Sequence, residues 1–105
     1  MRELSIEYGL RVANVFHAGD GNLHPTILCD KRDKEEFARV EAAVDEIFDV
    51  ALKLGGTLSG EHGIGFAKRP YLAKSLSPAE QMLMQGIKQL FDPKNILNPG
   101  KVIGA

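Results

Sequence analysis

The sequence predicts an α+β domain, an antiparallel sheet with helices packed on one of its faces, and three observations carry that expectation. Two β-rich segments flank a Gly- and Asx-rich turn. Two later segments repeat apolar residues at helical spacing behind capping residues. The 105 residues, 44% of them hydrophobic, close one modest core. Residues 1–105 are therefore read as a single domain.

Residues 1–8 read as a short helix, with Leu4 and Tyr8 one turn apart and Gly9 suited to a left-handed terminus. Arg11–Phe16 and Leu23–Cys29 are rich in β-formers, and Ala18–Asn22 between them suits a tight turn. Together they predict a hairpin with a polar tip. A long helix is expected to begin after Asp33, which can cap it while Glu36 completes a capping box. Its apolar stripe of Phe37, Val40, Val44, Ile47, Phe48 and Ala51 faces a sheet, and Gly55 closes it.

Thr57–Ser59 reads as a short strand running into the bend Gly60–Gly65. The last helix starts at Ser77, with Pro78 at the first helical position and Glu80 as box partner. Leu83, Ile87, Leu90 and Phe91 form its expected buried face, and Asp92-Pro93 ends it. Asn95–Lys101 is turn-rich and runs over the surface or into a neighbouring domain. The set resembles part of a ferredoxin-like arrangement.

Composition excludes several classes of partner. The net charge of -1 creates no basic field for nucleic acid or anionic lipid. No apolar run approaches the roughly 18 residues of a spanning helix. Cys29 is the single cysteine, which rules out an internal disulfide and fits a reducing, cytoplasmic setting.

All three histidines fall in Gly-rich junctions and not on the apolar faces of helices. His17 ends the first strand and His24 begins the second, so closing the hairpin brings two imidazoles to one end of the sheet. Neighbours on a regular strand point to opposite faces, so Glu61 and His62 are expected to play different roles. With Glu61 turned toward His17 and His24, the result is a His, His, Glu donor set suited to zinc or manganese, with positions open for water or substrate. His62 then faces the reacting atom as a base. Composition alone favours a plainer reading, in which Asp20 and Asn22 stabilise a turn and the histidines bond to backbone. Gly19-Asp-Gly21 and Gly63-Ile-Gly65 lack the strand, GxGxxG and helix order of a dinucleotide loop. The hairpin tip lacks the later glycine and glutamate of a calcium loop.

His17-Ala-Gly-Asp-Gly-Asn-Leu-His24-Pro25, Gly55-Gly-Thr-Leu-Ser-Gly-Glu-His-Gly-Ile-Gly65 and Asn98-Pro-Gly-Lys101 come in that order. Across essentially the whole chain they resemble the C-terminal domain of FAD-linked oxidases, the family of glycolate oxidase D subunits and of D-lactate and D-2-hydroxyglutarate dehydrogenases. The resemblance implies that His17, His24 and Glu61 hold a divalent metal, usually zinc or manganese, and that His62 is the general base. Thr26 falls where relatives place a polar substrate contact, often asparagine. Asn98 is a flavin-side contact by resemblance and a plain turn residue by pattern.

The family places FAD mainly in a larger N-terminal domain, so this chain is expected to need that domain, or other oxidase subunits, to oxidise a small 2-hydroxy acid to a 2-oxo acid. Taken alone it is expected to be inactive. Two other classes stay open: a metal-dependent hydrolase using the same donors, and a non-catalytic metal-binding or protein-interaction module. An exposed apolar surface where a neighbouring domain belongs would favour self-association.

Overall fold

A computed structural model of the chain describes residues 1–103. Its architecture is α+β, with one two-stranded antiparallel sheet near the N-terminus and helices through the rest. Helix α1 (Arg2–Tyr8) ends at Gly9, whose φ of 62° is left-handed, a conformation a Cβ would oppose. The following Leu10 is buried. α1 packs against both the first strand and the long second helix.

Strands β1 (Arg11–His17) and β2 (Asn22–Leu28) pair antiparallel, with Val15 opposite His24 and His17 opposite Asn22. The ladder extends one residue further toward the turn on each strand than its composition suggests, so His17 and Asn22 become its last pair. A single 3-10 turn, Ala18–Asp20, and Gly21 at φ 65° connect the strands. Directly opposed residues share a face and alternate residues return to it. One face therefore carries Val15, His17, Asn22, His24 and Thr26. The other carries Val12, Phe16, Leu23, Pro25 and Ile27.

Helix α2 (Lys34–Lys53) begins where expected. Asp33 Oδ1 accepts from the amides of Glu35 and Glu36 at 3.0 and 3.1 Å. Glu36 does not return to Asp33: its carboxylate accepts from the Asp30 amide at 2.8 Å and ties down the preceding loop. At the other end the amides of Gly55 and Gly56 donate to the carbonyls of Leu52 and Ala51, which satisfies two terminal acceptors. The predicted stripe is half-buried, and Ala43 is the fully covered residue of this helix.

Two further expectations need correction. Thr57–Ser59 forms no strand; it is irregular, with a bend at Leu58. Local bonds take the place of a ladder: the Thr57 hydroxyl donates to the Ser59 carbonyl at 2.9 Å, and the Gly63 amide donates to Ser59 Oγ at 2.6 Å. Short hydroxyl side chains compete with regular pairing in this way. Helix α4 is the second case. The short helix α3 (Leu72–Ser75), entered through a 3-10 turn at Arg69–Tyr71, packs on α2. There Tyr71 and Phe48 rings lie 4.6 Å apart, and Lys74 Nζ reaches Asp45 and Asp49 at 2.6 and 3.0 Å. Helix α4 (Pro78–Phe91) then starts with the expected reciprocal box between Ser77 and Glu80.

The predicted buried face of α4, however, is open: Leu83, Ile87, Leu90 and Phe91 are all exposed, the last two by 75% and 79%. Amphipathic spacing identifies a face that favours burial without supplying the surface that covers it. Past α4, Asp92 is buried. Its carboxylate pairs with Lys88 and accepts from the amides of Ile96 and Leu97 at 3.1 and 3.0 Å.

The core is thin. Among the described residues the buried apolar side chains are Leu10, Ala43, Leu58 and Leu72. The radius of gyration is 16.0 Å, against about 13 Å for a compact domain of this length. The chain is an extended scaffold holding one well-defined hairpin.

Candidate metal and active site

Three segments meet at the mouth of the hairpin. β1 delivers His17, β2 delivers Asn22 and His24, and the bend after Leu58 delivers Glu61 and His62. The hairpin positions its residues by register. Sheet pairing contributes nothing to the bend, which is held by other bonds: Lys68 Nζ donates to the Leu58 carbonyl at 2.9 Å, and the Val102 amide donates to the Gly65 carbonyl at 2.7 Å.

One oxygen, Glu61 Oε1, is the hub. His24 Nε2 lies 2.8 Å from it, His17 Nε2 3.5 Å and His62 Nε2 3.9 Å, while Asn22 Nδ2 donates to it at 3.2 Å. The His17 and His24 rings meet edge-on with centroids 5.3 Å apart, and His62 tilts against His24 at 5.2 Å. His24 is the most enclosed of the three, its side chain 27% exposed against 57% for His17 and 73% for His62.

Partial desolvation is the largest single influence on the Glu61 carboxyl and pushes its pKa up. The imidazoles of His17, His24 and His62 together with the Asn22 amide outweigh it and hold the carboxyl below its ordinary value. Glu61 is thus kept as the anion, the form that accepts hydrogen bonds or binds a cation.

The donors of His17, His24 and Glu61 all lie within 4.8 Å of one another. That is close to the reach of one ion whose bonds to nitrogen and oxygen are about 2.0–2.2 Å long. The chemistry of two imidazoles and a carboxylate also fits a borderline cation such as zinc or manganese.

His17, His24 and Glu61 therefore converge as the sequence predicts. His62 does not turn to an opposite face. Without a strand through 57–59 the alternation fails, and both neighbours reach the same cluster. Thr26 shares the face of β2 that carries His24, two residues on. Asn98 has φ 47° and sits in a turn anchored by the bond from Arg69 to the Gly100 carbonyl and by Lys101 over the Phe66 ring. Asn22 is the residue that sequence reasoning passed over as a turn former. Its place opposite His17 was the available signal.

The fold and the cluster define a small α+β domain that presents imidazoles and a carboxylate at a hairpin mouth. The chain belongs to the FAD linked oxidases, C-terminal domain family, which it matches over residues 1–102. It is 48% identical over 102 residues to glycolate oxidase subunit GlcD of Bacillus subtilis (strain 168), covering 97% of this chain and 22% of that protein. It is 44% identical over 102 residues to a D-lactate dehydrogenase of Anaerostipes hadrus, covering 96% and 22%. Against a D-2-hydroxyglutarate dehydrogenase of Stutzerimonas stutzeri (strain A1501) it is 48% identical over 91 residues, covering 85% and 20%. The chain thus spans about a fifth of the length of these relatives. Among the described residues no helix is long and apolar enough to cross a membrane.

Proposed function

We propose that this chain supplies the metal- and substrate-binding half of an FAD-dependent 2-hydroxy-acid dehydrogenase of the glycolate or D-lactate type. The observation that carries the reading is the convergence of His17, His24 and Glu61 on one point with His62 alongside. FAD, which a separate flavin-binding domain would mainly hold, would supply the two-electron acceptor for oxidation of the 2-hydroxy acid to a 2-oxo acid. A divalent cation, zinc or manganese, held by His17, His24 and Glu61 supplies Lewis-acid polarisation of the substrate hydroxyl.

The chain's own residues do the rest. Glu61, kept ionised by its neighbours, balances positive charge at the site. His62 Nε2 accepts the hydroxyl proton; its exposure leaves it open to a small substrate. The Thr26 hydroxyl, on the His24 face of β2, donates to the substrate carboxylate. Asn98 contacts the flavin side from the C-terminal turn. The uncovered apolar face of α4 supports docking of the flavin-binding domain on this chain, and the lone Cys29 fits a cytoplasmic setting.

The test uses the full-length flavoprotein with D-lactate or glycolate and a dye as electron acceptor. Removing metal by chelation should abolish turnover, and zinc or manganese should restore it. His62→Gln should retain metal and flavin while turnover falls roughly 10²- to 10⁴-fold. Full activity in thoroughly metal-free enzyme, or in His62→Gln, overturns the assignment. Ester hydrolysis by flavin-free protein would favour a metal hydrolase in its place.

A further inference from the structure

Asn22 touches the site at two points. Its amide nitrogen donates to Glu61 Oε1 at 3.2 Å. Its amide oxygen occupies the space that a side chain on residue 60 would need: a Cβ built on Gly60 falls 2.3 Å from Asn22 Oδ1 and 2.6 Å from Cγ. Gly60 does not have the positive φ seen at Gly63 and Gly65. Its lack of a side chain therefore meets a demand of space and not of backbone conformation. Within the cluster His24 Nε2 also reaches Glu61 Oε1, at 2.8 Å; the remaining bonds holding the bend act at Leu58, Ser59, Gly63, Ile64 and Gly65.

We propose that Asn22 and Gly60 form a clamp, in which the Asn22 amide lies over the bare Gly60 backbone and fixes the Glu61 carboxylate against His17 and His24. Asn22 is a positioning residue. It is fixed by the hairpin register opposite His17, so it transfers the rigidity of the sheet to a ligand carried on a bend. A carboxylate oxygen has two lone pairs, and a donor on one of them aims the other. Such supporting bonds are typically worth 10- to 100-fold in metal affinity. The inference rests on the metal-site reading above.

The experiment is a double-mutant cycle in the full-length protein, read by zinc affinity in competition with a chelator. Asn22→Ala removes the amide, and Gly60→Ala displaces it. Each should weaken zinc binding about 10- to 100-fold. The double variant should be no weaker than the worse single, because both changes remove one contact. Asn22→Leu retains bulk at Gly60 without an amide hydrogen and should bind no better than Asn22→Ala.

Wild-type affinity in both single variants, multiplicative losses in the double, or recovery with Leu would each overturn the clamp. If the wild-type protein binds neither zinc nor manganese, the metal reading fails. The clamp is then judged by amide hydrogen exchange over residues 60–65 in metal-free protein. Faster exchange in each single variant with no further gain in the double sustains it; unchanged exchange overturns it.

Discussion

The phenolic hydroxyl of Tyr8 donates to Glu46 Oε2 at 2.6 Å, joining the short N-terminal helix to the middle of α2. Because α1 also packs on β1, this bond helps couple the hairpin to the helical part of the chain. The Glu46 bond, with desolvation and the charges of Glu46, Glu7 and Asp45, pushes the Tyr8 pKa from 10.0 up to about 12. The neutral phenol is the form the folded state favours. The contribution is therefore whole below pH 10 and is lost as pH rises toward about 12. Denaturant unfolding between pH 9 and about 12 should show a loss of stability in the wild-type chain that Tyr8→Phe reduces. Identical pH profiles for the two would show that the bond does not contribute.

Asp92 titrates in the opposite sense. The bond from Lys88 holds its carboxyl below the ordinary 3.8; desolvation opposes this, and the Leu97 and Ile96 amides assist. Its contribution is present above that ordinary value and is lost as pH falls through the lower folded one. Asp92→Asn should lower the thermal midpoint near neutrality, and the gap from wild type should close in acid. A gap constant down to the acid limit would assign the loss to packing alone.

Leu58 and Leu90 separate the covered from the uncovered apolar surface. Leu58 is 5% exposed and Leu90 75%. Leu58→Ala should cost about 2 kcal/mol, the low end for a buried leucine because the surrounding core is thin. Leu90→Ala should fall within about 0.5 kcal/mol of wild type. Urea unfolding of the 105-residue chain measures both. Equal losses would show that the α4 face is buried in solution.

Much of this organisation was legible in the residues. Gly9, Asp33, Gly55 and Ser77 mark helix ends because terminal amides and carbonyls make local demands that short motifs answer. The hairpin was legible because its turn chemistry and β-formers lie side by side. The convergence of His17 and His24 followed from that alone. Thr57–Ser59 was not legible: a β-branched residue and a leucine ahead of a Gly-rich bend resemble a strand, yet pairing needs a partner and the hydroxyls had local ones. The same limit applies to Leu83, Ile87, Leu90 and Phe91, whose spacing describes a helix face but not its cover. By sequence Asn22 reads as a turn former, because its partner, Glu61, lies 39 residues away.

That separation gives the cluster a direction of assembly. His17, Asn22 and His24 meet through hairpin closure, a local event of about 1–10 μs. Glu61, 39 residues beyond Asn22, must be brought in across the intervening helix α2. Changes in the Ala18–Gly21 turn should therefore act mainly on how fast the cluster forms. Changes at Gly60–Gly65 should act mainly on how long it lasts once formed. Two stretches of similar glycine content would thus act on opposite sides of one kinetic balance.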